Sequence, residues 1–562
     1  MRTLNHECEL CVVGGGIAGI CTALSAARHG VKTVLVQDRA MLGGNASSEM
    51  RVWICGAHGE DNRETGIVEE LMLENYYQNH GMKYSIWDAM LFEKVYYQEN
   101  LTLLLNTSCL DAKMKGKTIS EIKAWQSNCE TWHKIKAKYF ADCSGDSILS
   151  TLTGAEYTYG REARSKYGEK IEPETADKCT MGMSVIIEGR ETDHPVKFTP
   201  PKHYTPLPDD DAIPFREHDF NNNFWWLELG GTGDCLHDVD KYRPELLKLA
   251  FGAFDHMKNR GDHGAENWEL EWIGMTPGKR ESRRYIGDYV VNQNDVEAGG
   301  KFPDIIAYAG WSMDDHFPEG FEHKDSYPTI FHPAPSPWGI PWRSVYSKNI
   351  KNLLFAGRNI SVSHAALSSS RVIATCGVLG QAVGTAVAQM LCDGVDMRHI
   401  DVKKLQQTLL HDDCYIPFIS REVSPLSKSL DCSDDIVRNG IDRGDGNLWK
   451  GKAGDFIEYK SEKPFSVKNA RIVFDSDLNR EYDNMPGHYP LHTEKYVLPK
   501  TLVRDFTLLC TEKDGSTKEY KVENNCQRFV NVALSGEYVS VKLIPTATVG
   551  DEYYRVFSFE IE

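Results

Sequence analysis

Near the N-terminus, the run Val12-Val13-Gly14-Gly15-Gly16-Ile17-Ala18-Gly19 puts glycine where a backbone must come close to an anion. Gly14 permits a tight turn, Gly16 lets the backbone approach a phosphate, and Gly19 lets a helix pack on a strand. The chemistry implied is recognition of a dinucleotide. Far along the chain, Arg280, Arg283 and Arg284 form the densest basic cluster in an acidic protein. Guanidinium groups grip carboxylates through paired hydrogen bonds. The cluster therefore either holds an acidic substrate or pairs with the protein's own excess carboxylates. Cys8 and Cys11 have the spacing of a redox pair, but residues three apart on a strand face opposite sides, so no redox or metal role is expected of them. Cys55, in Trp53-Ile54-Cys55-Gly56-Ala57-His58-Gly59, is read as a buried inert thiol ahead of an active-site one. There is no HExxH and no spaced Cys/His set, so no metal is expected.

The elements that must position these groups follow from hydrophobic period and turn residues. Residues 9 to 37 read as strand, glycine turn, helix, strand, with the second strand at Val31–Val36. That strand ends in Gln37-Asp38, where a carboxylate usually holds ribose hydroxyls. Strand alignment gives the place to Gln37, whose amide oxygen also accepts a hydrogen bond; Asp38 is the alternative. Residues 160 to 345 are rich in Trp, Tyr, Pro and His and read as an inserted α+β domain that caps a cofactor. Within it, Asn223–Leu229 is expected to be a strand, and Gly230-Gly231-Thr232-Gly233 a turn before a helix at about 241 to 258. From about 420 to 562, alternating apolar residues such as Val539, Val541, Leu543 and Phe557, Phe559, Ile561 imply short strands of an all-β sandwich. Val372 to Cys392 carries no charge and contains Gly380-x-x-x-Gly384, so length and motif both permit a membrane helix. Its Thr375, Gln381, Thr385 and Gln389 favour a buried helix instead.

The totals bound the rest. A chain of 562 residues is long enough for two to four domains and a sizeable core. A net charge of -18 disfavours a nucleic-acid partner and an anionic membrane surface. The start lacks a basic segment followed by an apolar core, so no signal peptide is expected. Fifteen cysteines, an odd number without small-scaffold spacing, suggest reduced thiols and a cytoplasmic location.

A set of segments now carries a family resemblance: Leu42-Gly43-Gly44-Asn45-Ala46-Ser47-Ser48-Glu49-Met50-Arg51; Ala141 to Asp146; Pro277 to Arg284; Gly310-Trp311-Ser312-Met313-Asp314; and Asn352-Leu353-Leu354-Phe355-Ala356-Gly357-Arg358-Asn359 with the run to Gly384. Through these, the first 410 residues resemble FAD-dependent oxidoreductases that share a core with succinate dehydrogenase and fumarate reductase flavoproteins. The likeness is greatest to the bacterial group found near carbohydrate genes. The fold class implied is α/β: a Rossmann-like FAD-binding domain at 1–159 and 346–412, the inserted domain at 160–345, and the sandwich at 420–562. That last part resembles galactose-binding-like jelly rolls through Asn447-Leu448-Trp449, Asp455 to Glu458 and Ile472 to Asp475. A structural role for it is favoured over sugar binding.

By position, the resemblance implies that Gly43, Gly44 and Asn45 lie along the pyrophosphate and ribityl chain, with Arg39, Ser47 and Arg51 among the cofactor contacts. Asn45 falls near where some relatives carry a histidine bonded to the flavin. Asparagine cannot form that bond, so non-covalent FAD is expected. Cys109 would meet the adenine, and Gly145 and Asp146 would close around the nucleotide end. Gly357 and Arg358 would touch ribityl or pyrophosphate, although relatives often have an acid in place of Arg358. The turn from Arg371 through Thr375 to Cys376 would present backbone N–H groups to flavin N1 and O2, where a helix N-terminus favours the charge of reduced flavin.

The expected reaction is oxidation of an alcohol group on a carbohydrate, polyol or sugar acid. Such a step needs a base to take the hydroxyl proton as hydride leaves, and histidine suits this near neutral pH. His364 ranks first, between the ribityl loop and the flavin helix; His316 and His58 follow. Arg280 and Arg283 are candidate substrate or proton groups. Two alternatives stand beside this reading: a reductase of an unsaturated carboxylic acid, and a sugar-binding or assembly protein with structural flavin. The expected partner is a small molecule, with a homo-oligomer left open.

Overall fold

The structure is a computed structural model that describes residues 1–220, 223–261, 263–481, 485–492 and 497–562. Its elements form two compact units: residues 1–58, 82–405 and 483–495 make one, and 59–81, 406–482 and 496–562 the other. The segment 59–81 thus groups with the C-terminal part, and 160–345 stays with the N-terminal unit.

In the first unit, β1 (Leu10–Val13), α1 (Ile17–Arg28) and β2 (Thr33–Val36) form the βαβ start, followed by β3 (Leu101–Leu104) and β4 (Tyr139–Asp142). After the inserted region, which includes α2 (Val239–Asn259) and β5 (Met313–His316), come β6 (Leu353–Phe355), α3 (His364–Ser370) and α4 (Ile373–Asp393). The strands assemble as a five-stranded sheet in the order β6-β4-β1-β2-β3, every pair parallel. β1 and β2 are wholly buried and read as continuous apolar runs because a parallel sheet is covered on both faces.

One cover is the pair α1 and α4. A Cβ on Gly380 would lie 2.1 Å from the Ala18 carbonyl oxygen, and one on Gly384 2.3 Å from that of Thr22. Ser25 Oγ and Thr385 Oγ1 share a hydrogen bond of 2.7 Å across the same contact. The small-residue motif is therefore the seam between two core helices. α4 is long and apolar enough to cross a membrane, yet its residues are buried almost throughout.

The inserted region holds its own apolar cluster, built from Met183, Val185, Ile187, Phe224, Trp226 and Leu246 among others. Only Glu228–Leu229 of the expected strand at 223–229 is extended. Phe224 sits at φ +57, and the Leu227 N–H donates to the Phe224 carbonyl, so the aromatic run turns into that cluster instead of pairing. The expected helix is α2, and the glycines before it form a turn.

The second unit is all-antiparallel. β7 (Ile457–Phe474), β8 (Val503–Thr511), β9 (Thr517–Val522), β10 (Phe529–Thr548) and β11 (Tyr554–Ile561) join the short strands Asp431–Cys432 and Trp449–Gly451 in one seven-stranded sheet. The long partners β7 and β10 lose register between Lys460 and Phe465 and again between Val467 and Asn469, which bends them. Their inward residues, including Tyr459, Val467, Ile472, Val541 and Leu543, pack with Phe506 and Phe559 into one core.

Candidate functional site

The glycine turn is fixed by close approach. Gly14 has φ +105, and its N–H donates to the Val36 carbonyl at 2.8 Å. A Cβ on Gly19 would lie 1.8 Å from the Gly14 carbonyl oxygen, so α1 can start there only with glycine. Gly16 is the N-cap of α1, which has no side-chain cap and no acidic residue in its first turn. That leaves the helix N-terminus open to an anion.

Gln37 does not point outward from the end of β2. Its Oε1 accepts from Gly15 N at 2.7 Å, and its Nε2 donates to the Met41 carbonyl at 2.9 Å. The amide therefore pins the glycine turn to the next loop. Asp38 is exposed, with Arg39 Nε 3.9 Å from it, and Arg39 also approaches Glu49 at 3.3 Å. That next loop passes alongside the first: Gly43 N donates to Gly15 O, and Gly16 and Gly43 form a parallel bridge. Gly44–Ala46 is a short 3-10 turn. Within it Asn45 Nδ2 donates to the Lys279 carbonyl at 3.0 Å. Ser47 Oγ donates to Gly44 O at 2.7 Å.

Arg51, at φ +54, ion-pairs with buried Glu188 and lies between the rings of Tyr84 and Trp272, 4.6 and 4.3 Å from their centroids. It forms part of the wall of a cavity of about 680 Å³, together with Tyr84, Trp272, Tyr489 and the Arg190–Glu271 pair. Cys109 is buried in the strand Thr107–Lys115, and burial pushes its thiol up to about 12.

Asp146 resolves the question raised by Arg358. Arg358 donates to Asp146 Oδ1 at 2.9 Å, Lys279 to Oδ2 at 2.6 Å, and Ser282 Oγ to Oδ1 at 2.8 Å. Burial works to raise this carboxyl, but Lys279 and Arg358 outweigh it and hold it well below the usual carboxylate range. Arg283 Nε donates to the Asp146 carbonyl at 3.1 Å. Gly145 and Gly357 carry φ +74 and +113 on either side of this cluster. Arg358 Nε and Asn359 Oδ1 are buried without a hydrogen-bond partner.

Two strings of buried charge meet at β5. In one, Arg280 pairs with Glu228 at 3.3 Å, His316 bridges Glu228 at 2.7 Å and Asp314 at 3.3 Å, and Arg371 closes on Asp314 at 3.0 Å. Arg280 also donates to Ser184 Oγ and the Trp225 carbonyl. In the other, His364 lies between Glu281 at 2.9 Å and Asp315 at 3.1 Å, and Arg284 is buried against Glu162 and Glu281. Burial opposes charge on His364, but Glu281 and Asp315 win, and its pKa stands well above the ordinary value. The two carboxylates favour the charged form of His364, which works against its taking up a further proton. Arg280 and Arg284 serve the protein's own groups; the arginine cluster is an ion-pairing scaffold in this geometry.

His58 differs from both. Its ring stacks on Trp311 at 4.2 Å, and burial lowers its pKa. The same loop is tied to the start of α4, where Ala374 N donates to the Cys55 carbonyl. α4 likewise begins without a side-chain cap or an acidic first turn. Thr375 is buried in that turn, and Cys376 Sγ contacts the Arg371 carbonyl at 3.4 Å. Sequence reasoning missed Lys279, Trp311 and Glu281. Lys279 and Glu281 stood inside the quoted Pro277–Arg284 run and Trp311 inside Gly310–Asp314, but nothing in their spacing marked their partners.

These features suit FAD: a glycine cradle on an open helix N-terminus, a cation cluster with an unpartnered buried guanidinium N–H, and a second open helix N-terminus. In comparisons with known proteins, the family described as FAD dependent oxidoreductase matches residues 9–409. No curated protein matches the chain. Among solved structures, it is similar to p-nitrophenol 4-monooxygenase PnpA from Pseudomonas putida DLL-E4, at 11% identity over 73% of this chain and 86% of that one, TM-score 0.31. It is similar to OxyS anhydrotetracycline hydroxylase from Streptomyces rimosus, at 9% identity over 72% and 66%, TM-score 0.29. A third similarity is to the family 32 carbohydrate-binding module from Streptococcus pneumoniae EndoD, at 14% identity over 24% and 92%, TM-score 0.18.

Proposed function

From the premise that this chain belongs to the FAD dependent oxidoreductase family, we propose that it oxidises an alcohol group of a polyhydroxylated, carbohydrate-class substrate with FAD held non-covalently. When bound, FAD supplies the hydride acceptor for such an oxidation. The N-terminus of α1, Gly16 and the Gly43–Asn45 loop would hold the pyrophosphate and ribityl parts, and Arg358 the phosphates. Asn45 offers an amide, not an imidazole, so the chain provides no covalent anchor at that place. The open N-terminus of α4 would favour negative charge beside it.

The observation that carries the reading is the placement of His58. Its ring stacks on Trp311 in the loop tied to the start of α4, and burial favours its uncharged form. A neutral imidazole accepts the hydroxyl proton, and Trp311 holds the ring in place. The cavity beside Arg51 supports the substrate class: aromatic faces and the Arg190–Glu271 ion pair suit a molecule with many hydroxyl groups and apolar C–H faces.

Anaerobic titration of the yellow protein with a panel of sugars, polyols and sugar acids tests this. Bleaching of the flavin spectrum by a member of the panel, lost in His58→Gln, is the expected result. A spectrum unchanged across the panel would remove the substrate class, and a His58→Gln protein that bleaches as fast as the parent would remove the base. Acid denaturation should release the colour into the supernatant; colour that stays on the polypeptide would overturn the non-covalent reading.

A further inference from the structure

The inserted region brings three imidazoles onto one carboxylate oxygen. His256 Nε2 lies 2.6 Å from Asp210 Oδ1, His218 Nδ1 3.3 Å from it, and His263 Nε2 3.7 Å from it. The donor atoms of Asp210, His218 and His256 lie within 4.8 Å of one another. The three rings crowd each other at centroid distances of 4.9 to 5.7 Å. Bonds of about 2.0 Å at tetrahedral angles put neighbouring donors about 3.3 Å apart, within the 2.6 to 3.7 Å that separate the three imidazole nitrogens from the Asp210 oxygen.

The His263 side chain is only 7% exposed, and its Nε2 has no hydrogen-bond partner. It stands too far from Asp210 for a hydrogen bond and at the right distance for a shared ion. Gly261, at φ +125, makes room for it: a Cβ there would sit 2.8 Å from His263 Nε2. His256 is buried in the last turn of α2, and Asp210 opens a short 3-10 turn. The four residues thus come from two loops and one helix end, at a spacing no linear motif would show.

We propose that Asp210, His218, His256 and His263 form a closed site for one divalent transition-metal ion of the zinc class. Three imidazoles and one carboxylate are donors for zinc and not for calcium or magnesium. Four protein ligands complete a tetrahedron and leave no position for substrate, so the ion's work is to clasp the 210–218 segment to the end of α2. Asp210, the most exposed ligand, is the way in. The site is independent of the flavin and of the proposed substrate.

The full-length protein is stripped with a chelator, loaded with one equivalent of Zn(II) or Co(II), and desalted. We expect about one metal per chain, a higher Tm with zinc than without, and the intense visible bands of tetrahedral Co(II) in the difference spectrum against the stripped protein. His263→Ala should weaken metal binding by more than the about 10–100-fold that loss of an outer partner causes. The pair His218→Ala with His263→Ala should abolish the cobalt bands. Zinc lost on desalting with no shift in Tm overturns the proposal. So does metal retained equally by the double variant. Should that variant fold poorly, the wild-type cobalt spectrum decides alone: weak octahedral bands sink the site.

Discussion

Each compact unit buries a network of arginines and carboxylates, and the two differ in where imidazole stands: in the β region His411 pairs with Glu562 at the half-exposed margin, and in the first unit histidines sit inside the buried strings. In the β region, Arg421 and Arg471 share Asp442, Arg528 meets Asp413, and Arg480 meets Glu69. Arg471 adds the carbonyls of Leu410 and His411. Guanidinium and carboxylate keep their charges across the neutral range, so such a network can only hold structure. In the first unit the same kind of string has imidazoles threaded into it: His316 between Glu228 and Asp314, His364 between Glu281 and Asp315. Imidazole is the group whose charge is set by its neighbours near neutral pH. Proton chemistry can live where imidazole stands, and there His364, whose two carboxylates favour its charged form, contrasts with His58, whose burial against Trp311 favours the uncharged one.

The comparison can be broken hardest at the cofactor. Gly19→Val should give colourless protein, because even its Cβ would sit 1.8 Å from the Gly14 carbonyl oxygen; bound flavin in the purified variant would refute that reading of the turn. His58→Gln should lower turnover about 10²–10⁴-fold, the usual worth of a positioned base, while flavin content and Tm stay at parental values. Arg480→Met tests the opposite side. Stranding Glu69 in the interior should cost about 3–5 kcal/mol in unfolding of the β region. Flavin reduction kinetics of the folded fraction should not change, and slowed reduction would mean that this network does more than hold structure.

Smaller effects should appear with pH. The depressed pKa of His58 places the acid limb of kcat/KM below about 6.5, the free histidine value, and His58→Gln should lose that limb. His364 works with the opposite sign. Its pKa is raised on folding, so its stabilisation is complete below the unfolded value and is lost as pH rises through the folded one. The Tm gap between the parent and His364→Gln should therefore be widest in mild acid and narrow in alkali. A gap that widens with pH would mean that His364 is neutral in the folded protein.

Much of the fold was legible because the parallel sheet is written in local terms. β1, the glycine turn and β2 lie within 28 consecutive residues, Leu10 to Gln37, and each glycine has a steric reason. The antiparallel strands of the C-terminal part showed the same way, through alternation. The strand expected at 223–229 was lost because an aromatic run reads alike whether it pairs or turns into a core. The segment 59–81 could not be assigned because its partners are remote: Glu69 meets Arg480 some 400 residues later. Site residues were legible by place and not by state. The family pattern singled out Arg358 and His364, but nothing in one sequence could say that Asp146 pairs with the first or that two carboxylates flank the second. Gln37 shows the same limit, since its amide faces inward to the turn.

The seam between α1 and α4 has a consequence for how the chain comes off the ribosome. Ala18 and Thr22 wait for Gly380 and Gly384, which follow more than 350 residues later. At about 5–20 residues/s, that interval is roughly 20 to 70 s. Throughout it the first helix of the nascent chain has its small-residue groove uncovered, and the parallel sheet lacks its last strand, β6. The N-terminal βαβ unit is therefore made long before the helix and strand that complete its packing.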